Sequence, residues 1–247
     1  MIPSSYPAPF QSAHVRARIV KILLIAGAVA AGLLLLAEAI SLAFPPPTDD
    51  QELVDNLTGT AVALLVFLLA VLDMLIYWTT AVFFCVWLYR AYGNLRAFNS
   101  WSRPDYSPGW AVGGFFIPFV NLVLPYRAVR EVWQKSVPPD PLVPASDPPA
   151  SFPLWWLFWL LASFASKISF RVSFREEVPE STATMISIVA GALTIVAAVF
   201  AYLVVDAIDK RQEETSASVK LGTFSGPPPP PPNLGGYQDA APIGRLS

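Results

Sequence analysis

The chain has 247 residues, of which 54% are hydrophobic and only 14% charged, and its formal net charge is −2. A soluble domain of this size carries about 25% charged residues, so the composition points to a polytopic membrane protein, and the lack of any densely basic stretch excludes a nucleic-acid partner. A single cysteine, Cys85, and a single histidine, His14, exclude an intrachain disulfide and supply too few ligands for a zinc, haem or iron–sulfur centre, so no metal or cofactor is expected.

Residues 1–18 read as a polar, disordered tail, and a membrane domain is expected over residues 19–209. Its first apolar run, Ile19 to Phe44, is interrupted only by Lys21 and Glu38. It exceeds the roughly 20 residues that a spanning helix needs at about 1.5 Å each. A cleaved signal peptide competes, with Ala37 and Ala39 mimicking a cleavage site. The apolar core from Ile22 to Ala37 is too long for the usual h-region of about 7–15 residues, which favours an uncleaved anchor.

An acidic loop with Asp49, Asp50, Glu52 and Asp55 leads into a second run, Leu57 to Tyr89, longer than a bilayer requires. That helix must tilt or project into water. A basic stretch with Arg90, Arg96 and Arg103 precedes the segment Ser107–Ser136, which is apolar but broken by Gly109, Gly113, Gly114, Pro118 and Pro125. Residues 137–153 hold seven prolines, a composition that disfavours helix and suggests an extended linker. Two more apolar runs follow at 154–170 and 183–205, the former opening on Trp155, Trp156 and Trp159 as an interfacial belt. Residues 210–247 are polar, include the run Pro227 to Pro232, and are expected to be disordered.

Counting positive residues orients the chain. If 107–136 does not cross, one side holds thirteen: Arg16, Arg18, Lys21, Arg90, Arg96, Arg103, Arg127, Arg130, Lys135, Lys210, Arg211, Lys220 and Arg245. The other side holds three, Lys167, Arg171 and Arg175, whereas a crossing segment gives nine against seven. The positive-inside rule therefore favours the non-crossing arrangement. The expected fold is an all-α integral membrane protein. It has four transmembrane helices, both termini cytoplasmic, and a re-entrant or interfacial Pro/Gly-rich segment. The glycines of that segment suit close backbone approach. From Leu124, Tyr126, Val129 and Trp133 share one helical face and Arg127, Arg130, Glu131 and Gln134 the other, as in a helix lying in the cytoplasmic interface. A bent fifth span is the alternative.

The succession Trp87 to Leu95, then Ser107-Pro108-Gly109-Trp110, then Phe116 to Leu122, Pro125-Tyr126 and Trp133 resembles a bacterial membrane family, domain of unknown function 4328. The resemblance implies a polytopic membrane protein over roughly Ile19 to Asp209 and carries no activity, substrate or catalytic residue with it.

Ionisable residues within spans are costly and are functional candidates by default. Asp73 lies 17 residues before Arg90, about 25 Å along a helix, and Glu38 lies 17 residues after Lys21, at a comparable depth. With Lys167 and Arg171 they form an expected cluster near the outer boundary. A second group is Arg90, Asn94, Arg96 and Asn121, on the cytoplasmic side, where Arg90 and Asn121 meet if the loop folds back on the second span; Pro118 and Arg127 of the interrupted segment are further candidates. Asn121 is otherwise expected to cap the following helix. No nucleophile–base pair is visible, so a non-enzymatic scaffold or regulatory protein is expected. Its partners are the bilayer and a protein engaged through the Pro-rich linker or tail. The competing expectation is a small transporter or channel subunit using Asp73 and the broken loop 107–126.

Overall fold

A computed structural model of the chain describes residues 10–44, 56–98, 104–137, 147–175 and 177–220. All regular structure among the described residues is helical: α1 (His14–Ser41), α2 (Leu57–Asn94), α3 (Pro108–Gly113), a 3-10 turn at Val120–Leu122, α4 (Leu124–Lys135), α5 (Ser151–Val172) and α6 (Glu180–Lys220). Local chemistry sets the starts. The side chain of Asn56 accepts a hydrogen bond from the amide of Gly59 at 2.9 Å and caps α2. Ser107 caps α3 through the Trp110 amide at 3.1 Å, with Pro108 in the first turn, where its missing N–H costs nothing.

Helices α1, α2 and α6 are each long and apolar enough to cross a membrane. At about 1.5 Å per residue, α2 spans ~57 Å and α6 ~62 Å, twice the ~30 Å hydrocarbon core, so each projects well beyond it. Helix α5 has 22 residues, but its tryptophans, serines and Lys167 dilute its apolar character. α1 packs between α2 and α6, and α6 in turn packs along α5, giving the row α2–α1–α6–α5 with alternating directions.

The buried core is concentrated at one end of this row. Val20 of α1, Trp87, Leu88 and Tyr92 of α2, Phe152 of α5 and Val204, Val205 and Ile208 of α6 are all essentially inaccessible. Beyond this end the row carries exposed Ile22, Leu33, Phe67, Leu68, Met74 and Val189, an apolar surface that suits lipid rather than water.

Several expectations are corrected. The first eighteen residues are not wholly a disordered tail: helix α1 begins at His14, because Ala13 and Ala17 are buried in the core. α6 continues to Lys220 rather than ending at 205, since Gln212, Thr215 and Ser216 are buried. The linker 137–153 yields at its end, where Pro153 stands in the first turn of α5, a position that tolerates proline. Residues 138–146 and the run Pro227 to Pro232 lie outside the described residues.

Glycine placement also differs. A methyl added at Gly109 or Gly113 would meet nothing within 4 Å, so only Gly114 answers the expectation of close approach. A Cβ there would lie 2.5 Å from Leu124 Cδ2 and 3.2 Å from Leu124 Cβ, which fixes how tightly α3 folds back on α4.

Candidate functional site

The polar side chains of the segment 104–137 converge on the core end of the bundle. Glu131 of α4 is 5% exposed, the opposite of its expected place on the polar face. Its carboxylate accepts hydrogen bonds from the Tyr92 hydroxyl, from the backbone amide of Asp105 at 2.5 Å and from Lys135 Nζ at 2.6 Å. Tyr92 Oη accepts from the Tyr106 amide at 2.9 Å, and Lys135 also reaches Asp105 at 2.7 Å. The start and the end of the segment are thus tied together against the C-terminal turn of α2.

A second set of bonds joins α2, α4 and α6. Asn94 Nδ2 donates to Gln212 Oε1 at 3.2 Å, and Asn94 Oδ1 accepts from the Gln11 amide at 3.3 Å. Gln212 Nε2 donates to the Ala91 carbonyl at 2.9 Å and to Ser136 Oγ at 3.1 Å. Nearby, the Arg211 guanidinium lies over the Trp133 ring, 4.1 Å from its centre. Lys21 bridges Asp206 at 2.9 Å and Asp209 at 3.5 Å, and His14 Nδ1 lies 2.9 Å from Asp209.

From this latch the chain descends along the bundle and returns. Tyr106 sits beside Tyr92, whereas the Phe115 ring meets Phe84, eight residues back along α2 and so ~12 Å deeper. On α5 the same descent runs from Trp133 against Phe152 to Phe115 against Trp159. Trp156 Nε1 donates to the Leu122 carbonyl at 3.1 Å. At the tip, Pro118 ends any helix and the backbone turns about Phe119, with φ of 64° and the Val120 amide donating to the Pro118 carbonyl at 2.8 Å. Phe119 is 85% exposed and Phe116 71%, flanked by exposed Val123.

The apolar face of α4 is not the exposed one. Ala128, Val129 and Val132 are buried in the core with Trp87, Leu88 and Phe152, so α4 packs on protein and the tip before it presents the free apolar surface. Arg127 stands exposed on the outer face of α4, and Arg130 makes a 3.7 Å surface pair with Asp147, worth little in water. Among the described residues Arg90 and Asn121 do not meet. Asn121 does not cap α4, whose N-cap position is Val123 and which has no side-chain cap. Pro118 is exposed at the tip.

At the other end, Glu38 Oε1 accepts from Ser187 Oγ of α6 at 2.6 Å, and Asp73 of α2 lies within electrostatic range of Glu38. Lys167 and Arg171 do not join them: both are exposed on α5, with Lys167 over the Phe164 ring at 5.6 Å. Asp73 is also separated from the broken loop, lying eleven residues from Phe84, about 16 Å along α2.

Residues 50–210 match the model of the domain of unknown function DUF4328. The chain belongs to this family. No curated protein and no solved structure matches it. The DUF4328 region contains α2 to α5 and most of α6, and therefore the whole Tyr92–Asp105–Glu131–Lys135 latch, while α1 and Glu38 precede it. The motif that carries the resemblance shares Tyr92 with the latch and otherwise surrounds it: Trp87 and Asn94 are buried, Ser107 and Pro108 start α3, and Pro125 and Trp133 belong to α4. Glu131, Gln212 and Ser187 were not singled out from the sequence. The Glu131–Lys135 spacing of four was the one available signal, and it ordinarily marks a solvated pair.

The latch has a defined response to alkali in this DUF4328 protein. Burial alone would lower the Lys135 pKa, but the hydrogen bonds and charges of Asp105 and Glu131 outweigh it and raise the pKa above the usual lysine value. A raised folded pKa gives stability that is complete below the unfolded value and lost as pH rises through the folded one. Detergent-solubilised protein should keep a constant melting temperature contribution from this pair up to about pH 10 and lose it above. Lys135→Gln should show no such alkaline step in a melting series across pH.

Proposed function

We propose that this DUF4328 protein spans a bacterial plasma membrane four times with both termini cytoplasmic, and that it acts without catalysis as a scaffold or regulatory partner. The segment 104–137 is a re-entrant hairpin whose apolar tip enters the cytoplasmic leaflet. The observation that carries this reading is the latch: Asp105 and Lys135 are bound to each other, so the segment leaves and returns at the arginine-rich end. The exposed Phe116 and Phe119 at the bottom of a ~12 Å descent support insertion into lipid. Irregular backbone at that depth is sheltered on one side by α2 and α5.

Cysteine accessibility on a Cys85→Ser background tests the topology. Probes at Arg127 and Ser146 should label from the cytoplasm and a probe at Val178 from outside; external labelling at Ser146 overturns it. For the association itself, affinity capture in mild detergent should return a partner reproducibly, through the Pro-rich linker or tail or through the hairpin. Repeated capture of none counts against it. A transporter subunit is favoured only by the buried carboxylate of Glu38. Reconstituted vesicles in which Asp73→Asn leaves flux intact, or in which the native chain carries none, would remove that second reading.

A further inference from the structure

Glu38 is 9% exposed, and its Oε2 has no hydrogen-bond partner among the described residues. Among the described residues the one bond to its carboxylate is that of Oε1 with Ser187 Oγ. Glu38 lies in the last turn of α1, and the chain stays largely apolar past it through exposed Ile40, Leu42 and Phe44, so the carboxylate is flanked by apolar surface on both sides. An ionised carboxylate in such a place, with one oxygen facing no donor, is strongly disfavoured.

Among the described residues no cation is paired with it; Arg175, in the turn after α5, is exposed. On α1 the nearest ionisable residue is Lys21, 17 residues away or about 25 Å, and it is committed to Asp206 and Asp209. On α2 the group within electrostatic range is another acid, Asp73, with the phenol of Tyr77 one turn further. On α6, residues 181–201 contain no ionisable side chain, and Glu180 stands two turns from Ser187. The cations Lys167 and Arg171 belong to α5, which packs on α6 and not on α1. The acids of residues 49–55 lie outside the described residues.

We propose that Glu38, bonded to Ser187 through one carboxylate oxygen with the other buried and unpartnered among the described residues, is a proton-binding site within the helix bundle. A bound proton removes the buried charge. It leaves only a carbonyl-type oxygen unpartnered, and it lets the 2.6 Å contact to Ser187 run with the acid as donor. It also spares the bundle two carboxylates within electrostatic range ionised together in a low dielectric. The proposal does not depend on the four-span topology.

The full-length protein in detergent micelles tests this directly with an apolar carbodiimide, dicyclohexylcarbodiimide, which modifies protonated carboxyls in apolar surroundings. Peptide mass mapping should find Glu38 modified at neutral pH, with yield falling at least about tenfold as pH is raised, and unchanged by sodium at fixed pH. Infrared difference spectra should show a protonated-carboxyl C=O band that Glu38→Gln removes while its melting temperature stays near that of the native chain, because a neutral amide keeps the Ser187 contact. Absence of both modification and band overturns the proposal. So does protection by sodium, which would mark a metal-cation site instead, or a large loss of stability in Glu38→Gln, which would show that the charge is needed.

Discussion

Replacing Glu131 by alanine should be the most damaging single substitution in the hairpin, lowering stability by about 2–4 kcal/mol. Three donors lose their acceptor together: the Tyr92 hydroxyl, the Asp105 amide and Lys135 Nζ. One of them sits where water cannot replace it, since Tyr92 is fully buried. Lys135 keeps 23% of its side-chain exposure and retains Asp105, which holds the loss below the top of the range for a fully buried pair. Thermal melting in detergent reports the size, and protease cleavage near residue 105 reports the place. The decisive control is a double-mutant cycle: Tyr92→Phe costs about 1–2 kcal/mol alone and much less in the Glu131→Ala background, because the bond is already gone. Additive losses would mean that Tyr92 and Glu131 act independently and that the latch is not a unit.

Gly114→Ala should cost about 1–3 kcal/mol by overpacking, while Gly191→Ala costs less. Both glycines face a leucine. At Gly191 the close atoms are Leu35 Cδ2 at 2.6 Å and Cγ at 3.3 Å, which a rotamer change moves aside. At Gly114 the contact extends to Leu124 Cβ at 3.2 Å, which moves only with the backbone of α4. The added methyl therefore pushes the hairpin open. Increased labelling of a cysteine probe at Val112, half-buried in the native chain, would show the opening. Leu124→Ala in the same chain should recover part of the loss by removing Cδ2 and Cγ. Equal effects at the two glycines would refute this account.

Much of the membrane domain was readable along the chain because a spanning helix is a local property. Ile19 to Phe44, Leu57 to Tyr89 and 183–205 announce themselves by apolar length alone, and they correspond to α1, α2 and α6. Helix ends were less legible, since His14, Gln212 and Ser216 are polar and look like tail until their partners are known. The candidate residues fared unevenly. Asn94 and Glu38 are buried in hydrogen-bonded sites, whereas Arg127 and Pro118 stand exposed and Lys167 and Arg171 lie away from Glu38. Glu131 was misplaced because helical periodicity put it with Arg127 and Arg130. A buried acid is indistinguishable from a solvated one until its donors, 26 and 39 residues away, are brought to it.

The amino-acid sequence by itself determined a membrane protein of the DUF4328 family, with long apolar helices and an interrupted segment between the second helix and the proline-rich linker. Those follow from the cost of placing charge and unpaired backbone in lipid, which each stretch of chain meets on its own. Only the tertiary structure decided that the interrupted segment folds back on itself, that Tyr92 and Glu131 lock it, and that Glu38 finds Ser187 149 residues away. These depend on pairing between distant helices, and such pairing leaves no mark in local composition.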